Sequence, residues 1–117
     1  MAKSLKDEIN RLHAQVCSGL ADPNRILILY TLAIAPHNVS ELATSLEIPQ
    51  PTVSRHLKVL RERNMVHADR DGQSVYYSLA DDRIIQALDL LRGMLADSLE
   101  NQVDLARTAS ETLRSNE

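Results

Sequence analysis

Neither phenylalanine nor tryptophan occurs in this 117-residue chain, and tyrosine occurs only three times. A core without large rings must be filled by aliphatic side chains, which favours packed helices over a β-sandwich. With three glycines there is little scope for a phosphate cradle, and no Ser-His-Asp context or His/Cys cluster is present, so neither an enzyme nor a cofactor is expected. The single cysteine, Cys17, excludes an intrachain disulfide and fits a reducing cytoplasm. Long apolar runs are missing too. The longest, ILILYTLAIA at residues 26–35, falls short of the roughly 30 Å of a bilayer core, so no membrane partner is expected. The opening MAKSLKDEIN alternates charges and lacks the apolar centre of a secretory signal, which makes the cytoplasm the expected location. Nor is there an excess of positive charge: 13 Lys+Arg against 16 Asp+Glu give a net charge of -3, so any surface for a polyanion has to be local.

What is present is helical periodicity. Leu5, Ile9, Leu12, Val16 and Leu20 recur every three or four positions, predicting a first amphipathic helix that ends near Ala21. Asp22-Pro23 supplies an N-cap and a first-turn proline for a second helix over residues 24–35, apolar nearly all round and so read as buried. Pro36-His37 breaks it. Asn38, followed three residues later by Glu41, gives a capping-box start to a short third helix with Leu42 and Leu46 facing inward, stopping by Glu47 or Ile48.

The stretch PQPTVSRHLKVLRERN, residues 49–64, combines two prolines with a dense set of basic groups. Pro49 stands at an N-cap position and Pro51 in the first turn, where a missing N–H costs little, so the prolines start a fourth helix. Val53, Leu57 and Leu60 define its buried face, leaving Gln50, Thr52, Ser54, Arg55 and Lys58 on the other sides. Asn64 occupies the place of a left-handed C-terminal cap. Two strands, 65–70 and 73–79, flank Asp71-Gly72, the dipeptide of a type I′ hairpin turn. Val75, Tyr77 and Leu79 are expected to pack inward and Tyr76 to point away. From Ile84 an apolar stripe continues through Leu88, Leu91, Leu95, Leu99, Val103, Ala106 and Leu113 with a slip near Leu99, predicting one long last helix or two.

Two helices joined by a tight turn, the second carrying exposed polar and basic groups, then a hairpin, make a winged helix-turn-helix: a mainly α fold with a small β-hairpin. In the major groove, Gln and Arg can pair with adenine or guanine edges while Ser and Thr hold phosphates or bases. Between Gln50 and Ser74 five cations (Arg55, Lys58, Arg61, Arg63, Arg70) face three anions (Glu62, Asp69, Asp71), a local excess of two positive charges. The candidate DNA-binding set is therefore Gln50, Thr52, Ser54, Arg55, His56 and Lys58, with Arg70 and Gln73 at the wing tip.

Over residues 12–92 the chain resembles the ArsR/SmtB family of small winged-helix repressors. GLADPNRILIL resembles that family's junction of first and second helices, VSELATSLEIPQPTVSRHLKVLRERNMV its helix-turn-helix, and RDGQSVYYSLAD its wing. The resemblance implies a cytoplasmic homodimer joined through its first and last helices, bound to double-stranded DNA at an inverted-repeat operator and released by an effector. In the arsenic-sensing branch thiolates occupy the start of the third helix, where this chain has Asn38 and Ser40, neither a soft-metal ligand. In the zinc-sensing branch the matching positions of the last helix hold Asp81, Arg83, Met94 and Asp97. Both imidazoles are gone, and the Arg83 cation would repel a divalent ion. No metal site is expected, and the effector stays unassigned.

Other residues admit a plainer reading beside the functional one. His13 and Cys17, four apart on the first helix, form a candidate thiol sensor, while the plainer reading makes Cys17 a small buried hydrophobe. His56 flanks the buried face as a packing residue or phosphate contact, and His67 is a strand surface residue. Arg61 and Arg63 are a solvated face as readily as phosphate contacts. The organisation is one winged helix-turn-helix domain, 1–117: a dimerisation helix at 1–21, the helix-turn-helix at 39–63, the wing at 65–79, and a last dimerisation helix with extension at 81–117. Residues 94–117 carry five acids and two bases, so the extension is expected to cover the dimer rather than DNA. The competing function is a helical dimerisation or adaptor protein that kept the winged fold without reading DNA.

Overall fold

Caps and prolines set the boundaries of the helices, and aliphatic side chains at helical spacing set which faces are covered. In the computed structural model the elements run α1 (Leu5–Leu12), a π-helical turn (His13–Cys17), α2 (Pro23–Ile34), α3 (Val39–Leu46), α4 (Gln50–Glu62), β1 (Val66–Asp71), β2 (Ser74–Leu79) and α5 (Arg83–Ser115). Residues 4–115 are described; positions 1–3 of the expected first helix and 116–117 of the expected extension lie outside the described residues. The chain divides after Asp82 into two compact units.

In the first unit, Ser4 Oγ accepts from the Asp7 N–H at 3.2 Å and starts α1. The sequence predicted one regular helix to Ala21; instead α-helical geometry ends at Leu12. In the π-helical turn that follows, the Ser18 N–H donates to the His13 carbonyl, five residues back, at 3.0 Å. The Ser18 hydroxyl donates to the Ala14 carbonyl at 2.5 Å. Asp22 then caps α2, accepting from the Asn24 N–H at 2.8 Å with Pro23 in the first turn, as its sequence predicts. The expectation that α2 is buried nearly all round is corrected. Ile28, Leu29 and Leu32 are buried, but Leu27 and Ile34 are 49% and 84% exposed, because the elements packed on α2, namely α3, α4 and β2, leave those positions uncovered.

Both halves of the expected capping box form at α3: Asn38 Oδ1 accepts from the Glu41 N–H at 2.8 Å, and Glu41 Oε1 accepts from the Asn38 N–H at 2.9 Å. The helix closes at Glu47, whose φ of 56° is left-handed and brings the Ile48 N–H to the Ala43 carbonyl at 3.1 Å. Leu42 is fully buried and Leu46 half-buried. The core of this unit joins Ile28, Leu29 and Leu42 to Val53, Leu57 and Leu60 of α4 and to Met65 and Val66 at the start of β1. Removing each such side chain from water stabilises the fold by about 1.5–3 kcal/mol. Asn64, at φ 59°, supplies the left-handed residue expected after α4.

β1 and β2 pair antiparallel with Asp71 opposite Ser74, so the two-residue loop is Gly72-Gln73 and the predicted Asp71-Gly72 turn moves by one position. Only Gly72 has a left-handed φ, of 64°, which is the type II′ pattern with glycine first instead of type I′. Tyr77 also pairs with His37, its N–H donating at 2.8 Å and its carbonyl accepting at 3.1 Å. With β1 on one edge and His37 on the other, all six residues of β2 are half-buried. The expected split between Val75, Tyr77 and Leu79 inward and Tyr76 outward is therefore absent.

The second unit is a single 33-residue helix, α5. Leu91, Leu95, Leu99, Val103 and Leu113 of its apolar stripe are all more than half exposed in the single chain. Among the described residues no helix is long and apolar enough to cross a membrane.

Candidate nucleic-acid interface

The reading helix α4 begins without a side-chain cap, on Pro49 and Pro51, and rests on the core through one apolar face. Val53, Leu57 and Leu60 are each no more than 1% exposed. A helix fixed that way must present the opposite residues to solvent, and Gln50, Ser54, Arg55 and Lys58 are exposed as the periodicity predicts. Thr52 is half-buried and accepts from Arg55 Nη2 at 3.3 Å, so this hydroxyl orients the guanidinium. Arg70 and Gln73 stand exposed at the hairpin tip beside the exposed carboxylates Asp69 and Asp71, and His67 is a surface residue of β1.

His56 is placed apart from the other candidates. Its side chain is 13% exposed and turns toward the start of α2, with Nδ1 3.4 Å from Arg25 Nη1 and Nε2 3.9 Å from Asp22 Oδ1. Arg63 also turns inward, donating from Nη1 to the Ala14 carbonyl at 3.4 Å, while its buried Nε finds no hydrogen-bond partner. Arg61 takes the opposite course. With Ser54, Lys58 and Tyr77 it lines a groove of about 610 Å³ between α4 and the wing, which Leu57, Glu62 and Asn64 complete. The spacing of 54, 58 and 61 is the signal that could have grouped Arg61 with the reading face. Among the described residues no ion pair neutralises Arg55, Lys58 or Arg61, so their positive charge is available to an anionic partner.

Cys17 is exposed in the single chain, against the expectation of a small buried hydrophobe; Gly19, which is buried, and the half-buried Val16 make the inward contacts of this junction instead. His13 is exposed in the same turn. Among the described residues no three His, Cys, Asp or Glu side chains gather as a metal site would require. Asn38, at a position where the arsenic-sensing branch carries a thiolate, is engaged in the α3 capping box.

An exposed donor-rich helix, backed by a buried apolar face and followed by a hairpin with a cation at its tip, has the dimensions and chemistry to enter a DNA groove. Residues 22–68 match the family described as "Bacterial regulatory protein, arsR family". The chain is 37% identical over 82 residues to the biofilm growth-associated repressor of Agrobacterium fabrum, covering 70% of each protein. It is 34% identical over 95 residues to the nodulation protein NolR of Rhizobium meliloti, covering 81% of this chain and 78% of that one. Among solved structures, the homodimeric winged helix-turn-helix DNA-binding domain of a possible ArsR-family transcriptional regulator from Mycobacterium bovis superposes with a TM-score of 0.73 at 27% identity, over 86% of this chain and 93% of that one. The chain belongs to the arsR family of bacterial regulatory proteins and is a winged helix-turn-helix transcriptional regulator.

Proposed function

We propose that the chain is an operator-binding transcriptional repressor of the cytoplasm, acting as a homodimer whose two α4 helices enter successive major grooves of an inverted repeat in double-stranded DNA. The observation that carries this reading is the separation of faces on α4: Val53, Leu57 and Leu60 are buried, and Gln50, Ser54, Arg55 and Lys58 are exposed. Gln50 and Arg55 are the base-edge readers, Thr52 orients Arg55, and Ser54, Lys58, Arg70 and Gln73 hold the backbone and the flanking groove. Support for the dimer comes from apolar surface that a single chain leaves in water, including Leu5 at 72% and Ile9 at 50% exposure on α1. The effector is not zinc or arsenite through the family's sensor positions, since these hold Asn38, Ser40, Asp81, Arg83, Met94 and Asp97.

Fluorescence anisotropy with the chain's own upstream DNA and with scrambled duplex, across a salt series, tests the proposal. Preference for the upstream DNA together with a steep fall of affinity with salt is the expected result. Equal binding to both duplexes, or none, would replace the repressor with the helical adaptor.

A further inference from the structure

Apolar contact holds α4 in place but is non-directional, and by itself it leaves a helix free to turn about its axis. Directional bonds come from two arginines. Arg25 of α2 donates from Nε to the Gly19 carbonyl at 2.7 Å and from Nη2 to the Ser18 carbonyl at 3.2 Å, and its Nη1 faces His56 Nδ1. A guanidinium only donates, so Nδ1 is the accepting nitrogen and the ring's own hydrogen sits on Nε2, toward the Asp22 carboxylate. Two turns further along α4's direction, Arg63 reaches the Ala14 carbonyl. The middle of the reading helix, by way of Arg25, and its C-terminal end, by way of Arg63, are thus tied to one backbone segment, residues 14–19, which includes most of the π-helical turn. Gly19 lies directly on the Arg63 stem: a Cβ there would come within 2.9 Å of Arg63 Cδ.

We propose that Arg25 and His56 are positioning residues for DNA reading, a clamp that fixes the rotation of α4 against the carbonyls of Ser18 and Gly19 and so sets the angle at which Gln50 and Arg55 meet base edges. The inference rests on the proposed DNA-reading function. In it, His56 touches no DNA; its lone pair on Nδ1 holds Arg25, and Arg25 holds the junction.

The test compares wild type with His56→Leu, His56→Asn and Arg25→Lys on a duplex selected by the wild type from random sequence and on a scrambled duplex. Leucine fills the half-buried site without an acceptor, asparagine restores an acceptor near the Nδ1 position, and lysine keeps the charge but cannot bond three acceptors in a plane. The expected result is a loss of about tenfold in the ratio of selected to scrambled affinity for His56→Leu and Arg25→Lys, the factor that one charged hydrogen bond supplies. The salt slope should stay at the wild-type value, His56→Asn should recover most of the ratio, and the double variant should be no worse than either single one. Single-base-substituted duplexes should show the preference flattened at every read position. An unchanged ratio in folded variants would overturn the clamp, and so would a preference lost at one base only, which would make His56 a base contact. A wild type without preference would sink the DNA reading itself. Hydrogen exchange on residues 52–62 would then decide the clamp separately: faster exchange in both His56→Leu and Arg25→Lys supports it, and unchanged exchange overturns it.

Discussion

Gly19→Ala is the perturbation whose sign depends most on the packing described above. Its backbone is not left-handed, since among the described residues only Glu47, Asn64 and Gly72 have positive φ, so a methyl group is tolerated by the main chain. On that ground alone the substitution would stabilise by about 0.4–1 kcal/mol through the unfolded state. Space reverses the sign. The new Cβ would stand 2.8 Å from Met65 Sδ and 2.9 Å from Arg63 Cδ, and 3.3 Å from the Val16 carbonyl oxygen. Ordinary contact begins near 3.4 Å, so Met65, which is 2% exposed, has to retreat by about 0.6 Å into a filled core. Overpacking of that kind costs about 1–3 kcal/mol. The net expectation is a loss of about 1–2 kcal/mol, which lowers the urea midpoint by roughly 1 M at the m-value of a small protein. Urea unfolding followed by far-ultraviolet circular dichroism at one fixed protein concentration measures it. Gly93→Ala, in α5 with nothing within 4 Å, is the companion of opposite sign, with an expected gain of about 0.5–1 kcal/mol. A midpoint for Gly19→Ala at or above wild type, with m unchanged, would refute the close approach of this junction to Met65 and Arg63.

Three further expectations follow from other parts of the molecule. Asn38→Ala removes the acceptor of the α3 capping box and should destabilise by about 0.5–2 kcal/mol in the same urea assay; no change would mean that water replaces the cap at no cost. Leu57→Ala, at a site 1% exposed, should lose about 2–5 kcal/mol, and a loss below 1 kcal/mol would show that the helix settles into the space. In anisotropy titrations Arg55→Ala should weaken specific DNA binding by about 1–3 kcal/mol, whereas Lys58→Ala should weaken all duplexes alike and reduce the salt slope by about 1; identical profiles for the two would remove the distinction between base reader and phosphate contact.

The helix boundaries were legible because they are written in local chemistry. Asn38 and Glu41 cap by contacts within one turn, prolines 49 and 51 permit only a helix start, and Asn64 tolerates the left-handed geometry that follows α4. What depends on distant chain was not legible. The π-helical turn keeps the apolar spacing of an ordinary helix through Val16, and nothing in that pattern announces the wider turn. The Asp71-Gly72 dipeptide is a sound hairpin signal, but register is set by pairing along both strands, and that pairing places Gly72 first in the turn. His37 bridges to Tyr77 across forty residues of sequence, beyond the reach of any pattern in a window. At the site, the exposed side of α4 followed from periodicity, while the inward turn of His56 and Arg63 depends on the Arg25 donor and the Ala14 carbonyl, supplied by another part of the chain.

Among the described residues, the two non-glycine residues with left-handed backbone bracket the reading helix: Glu47 ends α3 three residues before α4 begins, and Asn64 follows two residues after α4 ends. Each closes its helix with a local hydrogen-bonded turn, so α4 is a segment of fixed length whose buried and exposed residues do not overlap. Such a segment behaves as an exchangeable cassette. New side chains at positions 50, 54, 55 and 58 can alter operator preference while Val53, Leu57 and Leu60 keep the fold, which lets regulators built on this frame diverge in target much faster than in structure.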